Sequence, residues 1–309
     1  MAGTYHSDFD ARSGLAGIVT VLNTPFLEDD RLDIAGVRAN VRRAVAAGVS
    51  GFLIPAMASE VETLSDGERR EIVAVVMEER GQAVVVGGAS AATQAARLRH
   101  AEMLVKLGCR CVLVALPYRD ERSYEAELRE LAREIPAALM IQDWDAGGYG
   151  VPVALVTRLF QEIPSFVSLK VEVVPAGPKY TELLEATGGA LHLSGGWAVG
   201  QMIEALDRGV HTFMPTGMHE IYCEIYRRYR AGRREEAVAL FRDLLPVLAF
   251  ANQHLDISIY FFKRLLWREG LFATARVRER KLSFDALHQS TAEELIEYVI
   301  ALTRSLAVD

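Results

Sequence analysis

Phe166-Val167-Ser168-Leu169-Lys170-Val171 is an apolar run interrupted by one lysine, and it is the sixth of eight such runs in 309 residues. The others are GIVTVL (17–22), GFLIP (51–55), AVVVGG (83–88), CVLVAL (111–116), ALMIQ (138–142), ALHLSG (190–195) and HTFMP (211–215). Each is nearly continuous in valine, leucine and isoleucine, as strands buried on both faces of a parallel sheet require. Between them lie stretches with apolar residues at helical spacing, such as IAGVRANVRRAVAAG, DGERREIVAVVMEE and TQAARLRHAEMLVKLG. Eight alternating units predict an α/β fold, a (β/α)8 TIM barrel over residues 14–230. Beyond residue 230 the strand signal stops, and REEAVALFRDLLPVLAFANQH, ISIYFFKRLLWREG and TAEELIEYVIALTRSL predict a C-terminal helical extension over 231–309.

Composition narrows the partners. Half of the residues are hydrophobic, 24% are charged and the net charge is −7, with no lysine- or arginine-rich run. Such a surface gives no electrostatic reason to expect nucleic acid or an anionic membrane. No apolar run reaches the roughly 18–20 residues that cross a bilayer, and MAGTYHSDFDARSG is too polar for a signal peptide, so a cytoplasmic protein is expected. Cys109, Cys111 and Cys223 form no CxxC, and His219-Glu220 lacks the second histidine of a zincin helix, so neither a disulfide framework nor a metal is expected.

Barrel chemistry sits at the C-terminal ends of the strands. Of five lysines, Lys106, Lys179, Lys263 and Lys281 stand in helical or loop contexts where a solvated ammonium suffices, whereas Lys170 lies inside a strand. Burial there is expected to depress its pKa. Bringing a lysine from about 10.4 to near 7 takes about three units, roughly 4 kcal/mol, and leaves an amine able to form a Schiff base with a carbonyl. The competing reading is a buried salt bridge with Glu172, two residues on and on the same side of the strand. Glu172 can equally accept or donate a proton beside the amine.

Three further strand ends carry polar or flexible groups. After the second run come Met57-Ala58-Ser59-Glu60, whose small residues let backbone N–H groups face the mouth and hold a carboxylate. Ser65 with Glu68 reads as a capping box opening the next helix. After the fifth run, Gln142 and Asp143 are expected to point towards the same mouth, followed by Trp144-Asp145 and a glycine-rich loop, 146–150, read as mobile. After the seventh, Ser194-Gly195-Gly196 brings backbone close to the mouth ahead of Trp197, although a glycine pair is also ordinary turn chemistry. Trp144, Asp145, Tyr149, Trp197 and His219 are candidates for shaping the distal pocket.

Together these residues resemble the dihydrodipicolinate synthase / N-acetylneuraminate lyase family of Schiff-base-forming (β/α)8 aldolases. The landmarks are Thr24-Pro25-Phe26, Ser59-Glu60, Thr63-Leu64-Ser65, Glu68-Arg69, Leu116-Pro117-Tyr118, Lys170 and Ser194-Gly195, spread over essentially the whole chain. The resemblance implies that Lys170 attacks the C2 carbonyl of pyruvate or another 2-oxo acid, that N–H groups near Ala58 and Ser59 hold its carboxylate, that no cofactor is needed, and that the chain forms a homo-oligomer.

The departures are equally informative. The family's Gly-Thr-Thr-Gly-Glu or Gly-x-Ser-Gly-Glu is here Ala56-Met57-Ala58-Ser59-Glu60, and the tyrosine of its Tyr-Asn-x-Pro is Gln142, which cannot shuttle a proton. The second member of the tyrosine pair after the fourth strand is Arg119, and Gly147 falls about where an aldehyde-recognising arginine is expected. True dihydrodipicolinate synthesis is therefore disfavoured. Some relatives that dehydrate 2-keto-3-deoxy sugar acids also lack the tyrosine and place a glutamate two residues after the lysine, as Glu172 does. The expectation is a lyase in which Lys170, Glu172 and Gln142 are catalytic, and Met57, Ala58, Ser59, Glu60, Asp143, Ser194, Gly195 and Trp197 bind a 2-keto-3-deoxy sugar acid or similar 2-oxo acid, by dehydration or retro-aldol cleavage. A barrel kept as a 2-oxo-acid sensor is the alternative. A phosphate-sugar enzyme ranks last, because Met214-Pro215-Thr216-Gly217-Met218-His219 is its only candidate phosphate loop.

Overall fold

The computed structural model describes residues 10–306. Helix α1 (Ala11–Gly14) precedes β1 (Gly17–Val21), and the chain then alternates through α2 (Ile34–Ala47), β2 (Gly51–Ile54), α3 (Asp66–Glu79), β3 (Val84–Gly88), α4 (Gln94–Lys106) and β4 (Cys111–Ala115). It continues through α5 (Glu121–Glu134), β5 (Ala138–Asp145), α6 (Val153–Glu162), β6 (Phe166–Val173), α7 (Ala176–Ala186), β7 (His192–Gly195), α8 (Met202–Asp207) and β8 (Thr212–Phe213). Four helices follow: α9 (His219–Arg230), α10 (Arg234–Ala251), α11 (Leu255–Arg268) and α12 (Ala286–Leu306). Strands β1 to β8 are hydrogen-bonded in sequence order as a closed barrel, the predicted (β/α)8 fold with a helical tail. No helix among the described residues is long and apolar enough to cross a membrane.

All eight expected strands form, and the differences lie at their ends. The fifth and sixth run three and two residues further than their apolar runs suggest, to Asp145 and Val173. The polar ends Gln142-Asp143-Trp144-Asp145 and Glu172-Val173 continue the ladder because each has a register partner opposite, from Gln142↔Lys170 to Asp145↔Val173.

Two compact units make up the chain. The first comprises Val84–Met214 with the N-terminal stretch to Ala16, and carries β3 to β8. Its interior holds a polar ladder across three strands: the Ser168 hydroxyl lies 2.7 Å from His192 Nδ1, and His192 Nε2 lies 3.0 Å from the Thr212 hydroxyl. Thr212 donates to the Leu15 carbonyl, so its oxygen accepts from His192 Nε2–H and leaves Nδ1 to accept from Ser168.

The second unit comprises Gly17–Ala83 with Pro215 to the C-terminus, so β1, β2 and the tail helices belong together. Within it, α3 opens with the predicted capping box: Ser65 Oγ accepts from Glu68 N–H at 3.2 Å, and Glu68 accepts from Ser65 N–H at 2.9 Å. His219 is buried at the start of α9 beside Asn40 Oδ1, 3.0 Å away, and burial pushes its pKa down to about 4. A neutral, enclosed imidazole is a packing group of that unit, which replaces the pocket-shaping role expected for it.

Candidate active site

Lys170 and Glu172 sit two residues apart on β6 and, by the period of a strand, on one face. Both side chains are 7% exposed, and Lys170 Nζ lies 3.1 Å from Glu172 Oε1. On the neighbouring strand Gln142 stands in register with Lys170, and its amide donates to the other Glu172 oxygen, Oε2. The carboxylate is thus held from two sides, by the ammonium and by the amide. On the far side β7 places Ser194 opposite Lys170 and Gly195 opposite Val171. Ser194 is fully buried, with its hydroxyl directed at Met214 Sδ, 3.9 Å away.

Gly196 has a role that turn chemistry alone does not explain. A Cβ built on it would collide with the Glu172 carboxylate and with Lys170 Cε, so only glycine lets this backbone pass over the pair. The side chain of the next residue, Trp197, lies outside the described residues.

Of the two sequence readings of Lys170, the buried ion pair with Glu172 is present. A proton passed from the ammonium to the carboxylate across that contact would leave a neutral amine beside a neutral acid, the pair that Schiff-base chemistry requires.

Asp143 departs from expectation. It does not join Gln142 at the mouth, because successive residues of a strand face opposite ways. Its Oδ2 lies 2.5 Å from Nζ of Lys179, a fully buried residue of α7. Lys179 also donates to the carbonyls of Tyr149 at 2.5 Å and Val151 at 2.6 Å, while Val151 N–H donates to Asp143 Oδ1 at 3.0 Å. Burial pushes the Asp143 carboxyl up, opposed by Lys179. Asp145 accepts from Gly147 and Gly150 N–H, both at 3.2 Å, and the Tyr149 hydroxyl donates to Glu182 at 2.9 Å. The loop read as mobile is pinned along its length, and Gly150, at φ 66°, meets Asp143 where a side chain would. Lys179, read as solvated, is its anchor.

In the second unit the corner after β2 is held by similar means. Met57–Ser59 and Val61–Thr63 form two short 3-10 turns joined by Glu60, whose φ of 55° is left-handed. The Ser59 hydroxyl donates to Leu22 O at 2.6 Å and accepts from Ala56 N–H at 3.0 Å, and Ser59 N–H is taken by Ala56 O at 2.8 Å. Asn23 donates to Ala58 O at 2.8 Å, and Met57 is exposed. Ser59 therefore spends both its hydroxyl and its N–H inside the corner.

Glu60 is a strut of the same corner. One carboxylate oxygen lies 2.5 Å from Lys263 of α11 and the other accepts from Arg278 N–H at 2.9 Å. Lys263, also read as solvated, is fully buried, with its ammonium 4.3 Å from the centre of the Phe26 ring. The apolar run ISIYFF before it was the available sign of burial, whereas nothing local to Lys179 announced its partners.

Burial lowers the pKa of Lys263 to about 8, against the opposing pull of Glu60. An unfolded lysine holds its proton to about 10.4, so between those values the unfolded chain binds more protons and this group makes stability rise with pH. Below about 8 the burial cost is fully present. Urea unfolding at half-unit steps from pH 8 to 10 is expected to show that rise in the wild type and a flatter curve in Lys263→Met; equal slopes would assign it to other groups.

A model of the "Dihydrodipicolinate synthetase family" matches residues 14–299. The chain belongs to this family. Among its relatives is the L-2-keto-3-deoxyarabonate dehydratase of Azospirillum brasilense, 27% identical over 294 residues that cover 91% of this chain and 92% of that protein. Another is the 4-hydroxy-tetrahydrodipicolinate synthase of Methanopyrus kandleri, 24% identical over 240 residues, 75% of this chain and 80% of its own. The crystal structure of dihydrodipicolinate synthase from Rhodopseudomonas palustris superposes with a TM-score of 0.84 at 21% identity, covering 93% of this chain and 97% of that one, a likeness of fold. Like them, this dihydrodipicolinate synthetase family member is an enzyme, a lyase. Within that family frame, the Gln142 amide is bound to the glutamate beside the lysine.

Proposed function

We propose that this lyase acts on a 2-keto-3-deoxy sugar acid through an imine on Lys170, eliminating water or cleaving the C3–C4 bond. The observation that carries the reading is Glu172, held between Lys170 at 3.1 Å and the Gln142 amide. The likeness to a 2-keto-3-deoxyarabonate dehydratase supports the substrate class.

Lys170 passes its proton to Glu172, and the amine attacks the C2 carbonyl; loss of water gives the iminium. That cation is an electron sink for the C3–H bond, so Glu172, again a carboxylate, takes the C3 proton and an enamine forms. In dehydration the enamine expels the C4 hydroxyl, which leaves as water with the proton Glu172 returns. In retro-aldol cleavage the iminium keeps its C3 proton: Glu172 takes the C4 hydroxyl proton instead, the C3–C4 bond breaks to release an aldehyde and leave the enamine, and Glu172 returns the proton to C3. Water then hydrolyses the imine and frees Lys170. Gln142 cannot relay a proton, but it fixes which Glu172 oxygen faces the amine. Homo-oligomeric assembly and a cytoplasmic location are part of the proposal, the former measurable by light scattering after gel filtration.

The test is incubation with 2-keto-3-deoxy pentonates and hexonates, reading product mass and pyruvate release. Glu172→Gln is expected to lower kcat by about 10²- to 10⁴-fold while borohydride still traps an adduct, because the acid–base group is gone and the nucleophile remains. Reversible binding with no turnover of any such acid would instead make the barrel a sensor.

A further inference from the structure

Trp144 is 55% exposed, an unusual state for an indole on a strand that is otherwise buried up to Asp143. Strand alternation puts it on the Gln142 face of β5, opposite to Asp143, and the ladder pairs it with Glu172. It therefore stands one inward-facing level beyond the Gln142↔Lys170 pair, about 6.6 Å further along the strand. Its exposure does not come from a loose backbone. The ladder continues past it to Asp145↔Val173, Asp145 caps the following turn through Gly147 and Gly150, and Lys179 holds the carbonyls of Tyr149 and Val151. The indole thus rises from a pinned stretch of backbone, an exposed apolar surface at the level of the Glu172 carboxylate.

We infer that Trp144 is the specificity-determining platform for the distal hydroxylated carbons of the substrate, C4 onward; this rests on the imine chemistry proposed above. With C2 bonded to Lys170 and the C3 proton at Glu172, the chain beyond C3 has to continue past the Glu172 level, where the indole stands. Carbons of a sugar acid carry C–H bonds that pack on an aromatic face while their hydroxyls turn to water. Pyruvate ends at C3 and has nothing to lay there. Trp144 thus separates long 2-oxo acids from short ones without touching the step they share.

The experiment compares wild type, Trp144→Ala and Trp144→Phe with a 2-keto-3-deoxy pentonate and with pyruvate. Trp144→Ala is expected to raise KM for the pentonate about tenfold with kcat within about twofold, Trp144→Phe to recover most of the loss, and the pyruvate concentration that half-saturates borohydride trapping to stay unchanged. An unchanged KM in Trp144→Ala, or an equal weakening towards pyruvate, overturns the platform. Failure of the imine reading is seen separately, as absence of any trapped pyruvate on the wild type. In Lys170→Ala, which can form no imine, the pentonate is expected to quench tryptophan fluorescence, and adding Trp144→Phe to remove that quench. No quench there overturns the platform whatever becomes of the imine.

Discussion

Lys170→Ala is expected to abolish the borohydride-trapped adduct with pyruvate or a 2-keto-3-deoxy acid and to lower turnover by at least about 10⁴-fold, since no other group on that face can replace the nucleophile. The other four lysines do not substitute. Lys179 and Lys263 are fully buried and committed to Asp143 and Glu60, and Lys106 and Lys281 are exposed on ion pairs with Glu102 and Glu62. The fold is expected to survive, because Glu172 keeps the Gln142 amide as a hydrogen-bond donor. Intact-mass analysis reads the result directly. An adduct of undiminished yield on Lys170→Ala would place the imine elsewhere and end the proposed mechanism.

The largest stability effect is expected from Lys179→Met, about 3–5 kcal/mol, the usual cost of removing one partner from a buried ion pair. The substitution leaves Asp143 buried without its cation and strips the carbonyls of Tyr149 and Val151 of a shared donor. Urea unfolding followed by circular dichroism gives the number. Asp143→Leu combined with Lys179→Met is expected to recover part of it, since replacing both charges by apolar groups removes the unpaired carboxylate that the single change exposes. A loss below about 1 kcal/mol in the single variant would mean that the clamp contributes little. Because Gln142 neighbours Asp143 on β5, the same variant is also expected to weaken the hold on Glu172, seen as lower kcat at temperatures where the chain remains folded.

Much of this was legible along the chain. Continuous valine, leucine and isoleucine runs gave the eight strands because a strand buried on both faces tolerates little else, and their alternation with amphipathic stretches gave the barrel order. Lys170 and Glu172 were legible as one-faced neighbours because a strand's period of two is a local property. Ser65 and Glu68 were legible as a capping box for the same reason, since both partners lie within one helical turn.

What the tertiary structure alone decided were contacts between residues far apart in the chain. Lys179 meets Asp143 across 36 residues and Lys263 meets Glu60 across 203, and no periodicity links either pair. Read locally, Lys179 belonged in water, and the apolar run before Lys263 hinted at burial without naming a partner; the fold supplied a carboxylate, and carbonyls or an aromatic face, from other elements. Asp143 shows the same limit from the other side, since strand alternation turned it from the mouth and only the approach of α7 named its partner. By itself the sequence determined which segments are strands and helices and which lysine lies within a strand, because those are set by neighbours in the chain. Which buried charges find partners was left to the packing of distant elements, because an ion pair is fixed by distance in space.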